Sequence, residues 1–298
     1  VTRRAAPRRA GWITALVLVC ASAVACGSGD AAPSEGAAGE LGGACVLEQP
    51  EALEVEVIDT RPHDPSVYTQ GLLVHDGVVF ESGGRYGESR LLASDLDSGE
   101  LLAQVELPED VFAEGLTLVG DDELVQLTWK EGVAFRWSAA QVLAAGDTGA
   151  APVEPIGEHR YDGEGWGLTT LEDGALLMSD GSDELVQRDP EDFTVTSTHV
   201  VSRADGDADA LNELEWDGES VWANRYQSDE LLRIDPECWT VTGVADLSSL
   251  RSDAEGTAQE QGLTIDVVNG VAHLPGSDEF LVTGKWWPTT YRVTFTPS

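Results

Sequence analysis

The chain has 298 residues, 24% of them charged and 42% hydrophobic, with a formal net charge of −37. That length and composition allow a large packed core and exclude a mostly disordered chain. The chain carries 54 acids against 17 basic residues, and its only lysines are Lys130 and Lys285. This balance excludes the basic footprint that nucleic acid requires, so no nucleic-acid partner is expected. The excess charge reads as a solubility adaptation to salty surroundings, with attraction of cationic partners as the second reading.

Arg3, Arg4, Arg8 and Arg9 open the chain, and an apolar run follows from Gly11 to Ala25. The run is short for a membrane span and ends in small residues, the pattern of a secretory signal. Cys26 follows Ala23-Val24-Ala25 and resembles a bacterial lipoprotein cleavage site, with Ala23 standing where Leu is usual. Residues 1–26 are expected to be a signal ending in a lipid-carrying cysteine. Residues 27–49, rich in Gly, Ala and Ser, are expected to be a flexible tether. The expected location is outside the cytoplasm: a lipoprotein on the envelope, membrane-attached through its lipid, or else a periplasmic or secreted protein. Cys20 leaves with the signal. Cys45 and Cys238 then form an even pair, read as a disulfide, with two separate free thiols as the alternative.

From Val67 onward one pattern recurs. Val67-Tyr-Thr-Gln-Gly-Leu72 is matched by Val111-Phe-Ala-Glu-Gly-Leu116, and shorter copies begin at Trp166, Asn212 and Asn269. The intervals between Gln70, Glu114, Trp166, Asn212 and Asn269 are 44, 52, 46 and 57 residues. Each copy precedes a second short strand: "VVFESGG", "LVQLTW", "ALLMSDGS", "SVWANRY", "EFLVTGK". A third follows, and in two copies an Asp-Pro turn at 189 and 235 leads into a Thr-Val-Thr fourth strand. Units of ~40–50 residues with about four strands each predict an all-β, five-bladed β-propeller over residues 50–298. The last copy is one strand short, and an extra strand at Leu53–Asp59 precedes the first. The ring is expected to close when that N-terminal strand completes the last blade. The segment 138–147 predicts one short helix on an insertion between blades.

The first strands of propeller blades line a central channel, so the motif positions converge on one mouth. Gln70, Glu114, Trp166 and Asn212 then place different chemistry around one point. The simpler reading is that such polar groups tie neighbouring blades by hydrogen bonds. A carboxyl at Glu114, near Phe112, Trp129 and Trp166, loses solvation and rises in pKa toward neutrality, as a proton shuttle requires. Lys285, in "TGKWW", is either buried for a task or a surface lysine lying over a ring. The five histidines show no zinc spacing. The alternating acids of residues 205–215 hint at a calcium loop but lack its Gly and terminal Glu spacing, and a solvated acidic loop is the simpler reading. No metal or other cofactor is expected.

The motifs "YTQGL", "FAEGL", "LVQLTW", "GWGL", "MSDGS", "LNELE", "VWAN" and "VTGKWWP" follow one another between about Val55 and Phe295. In order and spacing they resemble the plant-type glutaminyl-peptide cyclotransferases. The resemblance implies a five-bladed propeller, unrelated to the zinc-dependent animal enzymes. It implies an enzyme that converts N-terminal glutaminyl residues of peptides and proteins to 5-oxoproline with release of ammonia. It also implies that Glu114 is the acid/base, that Gln70, Asn212 and Lys285 are polar site residues, and that Trp129, Trp166 and Phe112 shape the pocket. Tyr68 stands where the family usually has Phe, and Tyr226 where a Trp is common. A monomer is expected. Two other readings remain open at this stage. One is a lipid-anchored propeller that binds or scaffolds without catalysis. The other is a metal-dependent, lactonase-like hydrolase, for which only one of the five equivalent positions is acidic.

Overall fold

The computed structural model describes residues 45–146 and 152–298. The expected signal and most of the expected tether lie outside the described residues; the compact unit runs from Cys45 to Ser298. Among the described residues it is all-β apart from two helices.

In chain order, β1 (Glu51–Pro62) leads into a meander of β2 (Thr69–His75), β3 (Val78–Gly83), β4 (Arg90–Asp95) and β5 (Leu101–Glu106). A second meander holds β6 (Ala113–Val119), β7 (Glu123–Thr128), β8 (Val133–Ser138) and, after α1 (Ala139–Ala144), β9 (Gly157–Arg160). The third holds β10 (Leu168–Thr170), β11 (Leu176–Ser179), β12 (Glu184–Arg188) and β13 (Val195–Val200). Then come β14 (Leu211–Trp216), β15 (Val221–Arg225), β16 (Glu230–Asp235), β17 (Thr240–Asp246), α2 (Ser248–Glu260), β18 (Val268–His273), β19 (Glu279–Gly284) and β20 (Thr289–Pro297).

The first three meanders are separate four-stranded sheets. The remaining strands form one eight-stranded sheet in the order β14-β15-β16-β17-β1-β20-β19-β18. β1 is its joint. It pairs antiparallel with β20 along Leu53–Pro62, as expected of a strand that completes the last unit. It also pairs parallel with β17 over Glu51–Leu53, which no pattern in the sequence announced. Cys45 and Cys238 are disulfide-bonded, with Cα atoms 5.5 Å apart and a sequence separation of 193. The bond fastens the segment ahead of β1 to the turn between β16 and β17. On chain-entropy grounds a loop of that length contributes about 5 kcal/mol.

The first strands of successive units touch one another: β2 meets β6, β6 meets β10, β10 meets β14, β14 meets β18, and β18 returns to β2. The motif glycines permit this approach. A Cβ on Gly71 would overlap the backbone of Leu116, one on Gly115 that of Trp166 to Leu168, and one on Gly167 that of Asn212. These inner strands are buried along most of their length, whereas β5 alternates, with Ala103 and Val105 inward and Gln104 and Glu106 outward. Apolar layers fill the gaps between neighbouring sheets. Leu73, Phe80, Leu91, Leu116, Leu124 and Trp137 form one, and Leu177, Leu185, Leu214, Val221 and Leu232 another. Full burial of each such side chain stabilises by about 1.5–3 kcal/mol.

Three elements differ from expectation. The helix read in 138–147 forms as α1, capped by Ser138 Oγ, which accepts from Gln141 N–H. It lies inside the second sheet, between β8 and β9, rather than between units. The repeat pattern missed β9 because that strand follows the helix and carries only one inward side chain, His159. It also missed α2, which docks through Leu250, Ala254 and Ala258. Those residues recur at helical spacing, but two of the three are alanines and give a faint apolar stripe.

Candidate active site

In an antiparallel hairpin the start of the first strand and the end of the second lie at the same end. That rule gathers the candidate residues. Tyr68, Phe112 and Trp166 immediately precede or approach inner strands, and Gln70, Glu114 and Asn212 sit at their first turns of pleat. Trp129, Tyr226 and Lys285 follow β7, β15 and β19, the second strands. Pairing shifts register between Thr69 and Gly71, Ala113 and Leu116, Leu211 and Leu214, and Val268 and Val271. The polar motif residue thus falls in an irregularity of the ladder, which turns its side chain away from the regular alternation.

All nine sequence candidates line one cavity of about 250 Å³: Tyr68, Gln70, Phe112, Glu114, Trp129, Trp166, Asn212, Tyr226 and Lys285. The fifth motif residue, Asn269, does not. Its Nδ2 donates to Thr69 O (3.0 Å) and Gln70 Oε1 (3.3 Å), so it serves as a tie between neighbouring units. Gln70 does both jobs. Its amide is oriented by Asn269, and its Nε2 donates to Glu114 Oε1 at 3.0 Å. Asn212 Oδ1 is buried and has no hydrogen-bond partner among the described residues.

The walls are aromatic. Phe112 packs on Trp129 with centroids 5.6 Å apart, and Trp166 meets Tyr226 edge-on at 5.4 Å. Lys285 is 2% exposed, which rules out a surface lysine. Its Nζ lies 4.8 Å from the Tyr68 ring centre and 5.1 Å from that of Tyr226, two cation–π contacts on a buried side chain. A larger, open cleft of about 1100 Å³ lies elsewhere, between the loops around Asp217, Asp235 and Asp278. Its lining has many acids and no lysine, so size does not select it.

Burial pushes the Glu114 carboxyl well above the usual carboxylate range; Lys285 pulls it back, and Glu131 and Glu164 add to the rise. Burial lowers the Lys285 ammonium to about 8, against the pull of Glu114 and Asp266. A carboxyl raised and an amine lowered in one cavity bring both groups within reach of proton exchange near neutrality.

Several residues around the cavity carry no repeat signal. Glu164 accepts the indole N–H of both Trp129 (2.8 Å) and Trp166 (3.1 Å). Asp266 accepts the Tyr68 hydroxyl at 3.2 Å, and Glu131 that of Tyr86 at 2.9 Å. In the acidic stretch 205–215, Asp205, Asp207 and Asp209 are exposed, as in a solvated loop, and Glu213 departs from that reading. Asp205 and Asp209 pair with Arg203 and Arg225. Glu213, in the place of a motif glycine, is buried and accepts from Leu72 N–H (3.3 Å) and Val271 N–H (2.9 Å).

An all-β fold with a raised carboxyl and a lowered amine in one aromatic cavity has the make-up of an acid–base enzyme, and comparison with known proteins narrows the class. The profile of the glutamine cyclotransferase family matches residues 20–295. A glutaminyl-peptide cyclotransferase of Arabidopsis thaliana is 37% identical over 242 residues, which is 80% of this chain and 71% of the plant protein. The crystal structure of Myxococcus xanthus glutaminyl cyclase is 33% identical, with a TM-score of 0.72, covering 84% of this chain and all of that one. The chain belongs to the glutamine cyclotransferase family.

Proposed function

We propose that this protein is a glutaminyl-peptide cyclotransferase, converting N-terminal glutaminyl residues of peptides and proteins to 5-oxoproline with release of ammonia. The observation that carries the reading is the buried Glu114 sharing an aromatic cavity with Lys285. Family membership supports it independently. The reaction needs no enzyme nucleophile, because the attacking α-amine and the γ-carboxamide belong to one residue and only have to be folded together. The amine nitrogen attacks the carboxamide carbon, and the carbonyl oxygen becomes an oxyanion. Glu114 takes a proton from the attacking nitrogen and passes it to the amide nitrogen. The carbon–nitrogen bond then breaks, and ammonia leaves. Lys285, as an ammonium, stabilises the oxyanion. Asn212, with its free Oδ1, and Gln70, with its fixed amide, hold the carboxamide, while Phe112, Trp129 and Trp166 shape the pocket around the folded side chain. Tyr68 and Tyr226 flank Lys285 and face its ammonium with their rings.

The ring is read as a five-bladed propeller. In support, the first strands touch in a cycle, and β1 supplies the strand that the last unit lacks. The chain is read as acting alone, as a monomer. The test of function is ammonia release from a short Gln-initiated peptide, with an Asn-initiated peptide as control. Ammonia matching the 5-oxoproline formed is expected from the first and none from the second. No release above the uncatalysed rate from the Gln peptide would overturn the reading.

The same proposal extends to location: an exported lipoprotein whose mature chain starts at Cys26, motivated by the small-residue run before that cysteine. The mass of the native N-terminal peptide decides it. A diacylglyceryl-cysteine start is expected, and an unmodified start elsewhere removes the anchor.

A further inference from the structure

Glu164 stands two residues before Trp166, between Gly163 and Gly165, on the link that carries the chain from the second sheet to the third. Both glycines are required. Gly163 has φ +91°, and a Cβ on Gly165 would overlap the Tyr161 hydroxyl. Gly165 N–H donates to Trp129 O at 3.0 Å, pinning the link to the end of β7. The Glu164 side chain is thereby held between two tryptophans that come from different sheets. One oxygen, Oε2, receives both indole N–H groups, from Trp129 at 2.8 Å and from Trp166 at 3.1 Å. The other oxygen, Oε1, faces Lys130 Nζ at 3.3 Å. Lys130 in turn lies 3.6 Å over the Trp129 ring. Trp166 is backed by Gly181, where a Cβ would sit 2.7 Å from the indole. Each indole therefore has a packed back and one polar handle, and the two handles meet on a single atom.

We infer that Glu164 is a positioning residue that sets the spacing and tilt of Trp129 and Trp166, and with them the fit of the pocket to a folded glutaminyl side chain. It does not line the cavity itself, and among the described residues its hydrogen bonds go to the two indoles. It acts through the two indoles, which would otherwise be free to turn independently, one with the second sheet and one with the third. A single shared acceptor couples them, so the pocket width is fixed by two hydrogen bonds rather than by each sheet alone. The kinetic part of this inference rests on the cyclotransferase reading above; the structural part does not.

The experiment compares Glu164→Ala, Glu164→Gln and Lys130→Ala with the parent. Glu164→Ala removes the shared acceptor. KM for a Gln-initiated peptide should rise at least about tenfold, the lower end of what a misfitted pocket costs, with a smaller fall in kcat. Glu164→Gln retains an acceptor oxygen and should restore KM. It also removes one of the charges that raise the Glu114 carboxyl, which faces Lys285, Glu131 and Glu164. The acid limb of its rate profile should therefore move to lower pH. Lys130→Ala removes an exposed ion pair and a cation–π contact on Trp129 but leaves both indole hydrogen bonds to Glu164, so KM should change far less than in Glu164→Ala. Tryptophan emission gives a readout without turnover. Glu164→Ala should shift the spectrum, Glu164→Gln much less, and the shift should vanish in a Trp129→Phe, Trp166→Phe background. An unchanged KM in a normally melting Glu164→Ala protein overturns the inference, as does a Gln variant no better than Ala. A parent that forms no 5-oxoproline refutes the function instead, and the emission comparison still judges the clamp.

Discussion

Glu114→Gln should lower cyclisation by at least about 10²-fold, the contribution of a positioned general acid–base. The substitution keeps the shape of the side chain and an acceptor for Gln70 Nε2, so the hydrogen bond found at 3.0 Å can persist. What it removes is the proton exchange. The fold already accepts Gln at the equivalent place in the first unit, Gln70, which makes the variant a controlled comparison. Its stability should not fall. Burial raises the folded-state pKa of Glu114 well above the ordinary value, with Lys285 opposing and Glu131 and Glu164 adding. A group shifted in that direction stabilises the fold below its unfolded pKa, and the contribution is lost as pH rises through the folded one. At neutral pH the parent bears that loss and the Gln variant does not, so the variant should melt at the same temperature or higher. In the parent, activity requires the carboxylate, so the acid limb of the rate profile should lie above the usual carboxylate range. The substrate amine also titrates, at ~7.7–8.0, and its limb should remain in the variant's residual rate. A normally melting Glu114→Gln protein with near-parent turnover would remove Glu114 from the mechanism.

Lys285→Met should cost about 10²–10³-fold in kcat, the effect of deleting one preorganised donor to an oxyanion. Met keeps the length and suits the space between Tyr68 and Tyr226. The pH profile separates this role from simple packing. Burial lowers Lys285 to about 8, so the ammonium is present below that value and lost above it. The parent rate should therefore decline on the alkaline side, against the rising fraction of free substrate amine. In Lys285→Met the decline should disappear and the residual rate should climb to a plateau. The acid limb should move the other way. Lys285 holds the Glu114 carboxyl down, so its loss should carry that limb to higher pH. Rate–pH curves for parent and variant on one Gln-initiated peptide measure both shifts. An alkaline limb that survives the substitution would assign it to another group.

The repeat was legible because each unit must solve the same steric problem. Its inner strand has to approach the next within backbone contact, so Gly71, Gly115 and Gly167 recur at one offset, and the residue before each glycine points to the common mouth. That is why Gln70, Glu114, Trp166 and Asn212 could be named from the repeat, whereas Tyr68 and Tyr226 came only with the family resemblance and Lys285 with its setting among tryptophans. Glu164 escaped because its position belongs to a link between units, where nothing repeats. The glycines on either side of it mark a tight path, but only the structure shows that two indoles converge there. α2 escaped for want of large apolar residues, and the parallel β1–β17 pairing because so short a contact leaves no periodic trace. Glu213 was misread as part of an acidic loop. It occupies a glycine site of the repeat, and its carboxylate serves backbone N–H groups of two other units. A charged residue at that offset was the available clue.

The placement of the disulfide determines how the molecule bears force. The strand that joins the two ends of the ring, β1, begins at Glu51, downstream of Cys45. A pull applied anywhere ahead of Cys45 reaches that cysteine first. From there the covalent path runs through sulfur to Cys238, in a turn deep in the sequence, and the five residues between Cys45 and Glu51 need carry no tension. The load enters the β16–β17 hairpin, and β1 is not peeled from β20 one hydrogen bond at a time. Without the bond, the same pull would act on the end of β1 and unzip the seam. The oxidised cysteine pair thus works as a strain relief, of the kind that protects a joint at the point where a cable enters its housing.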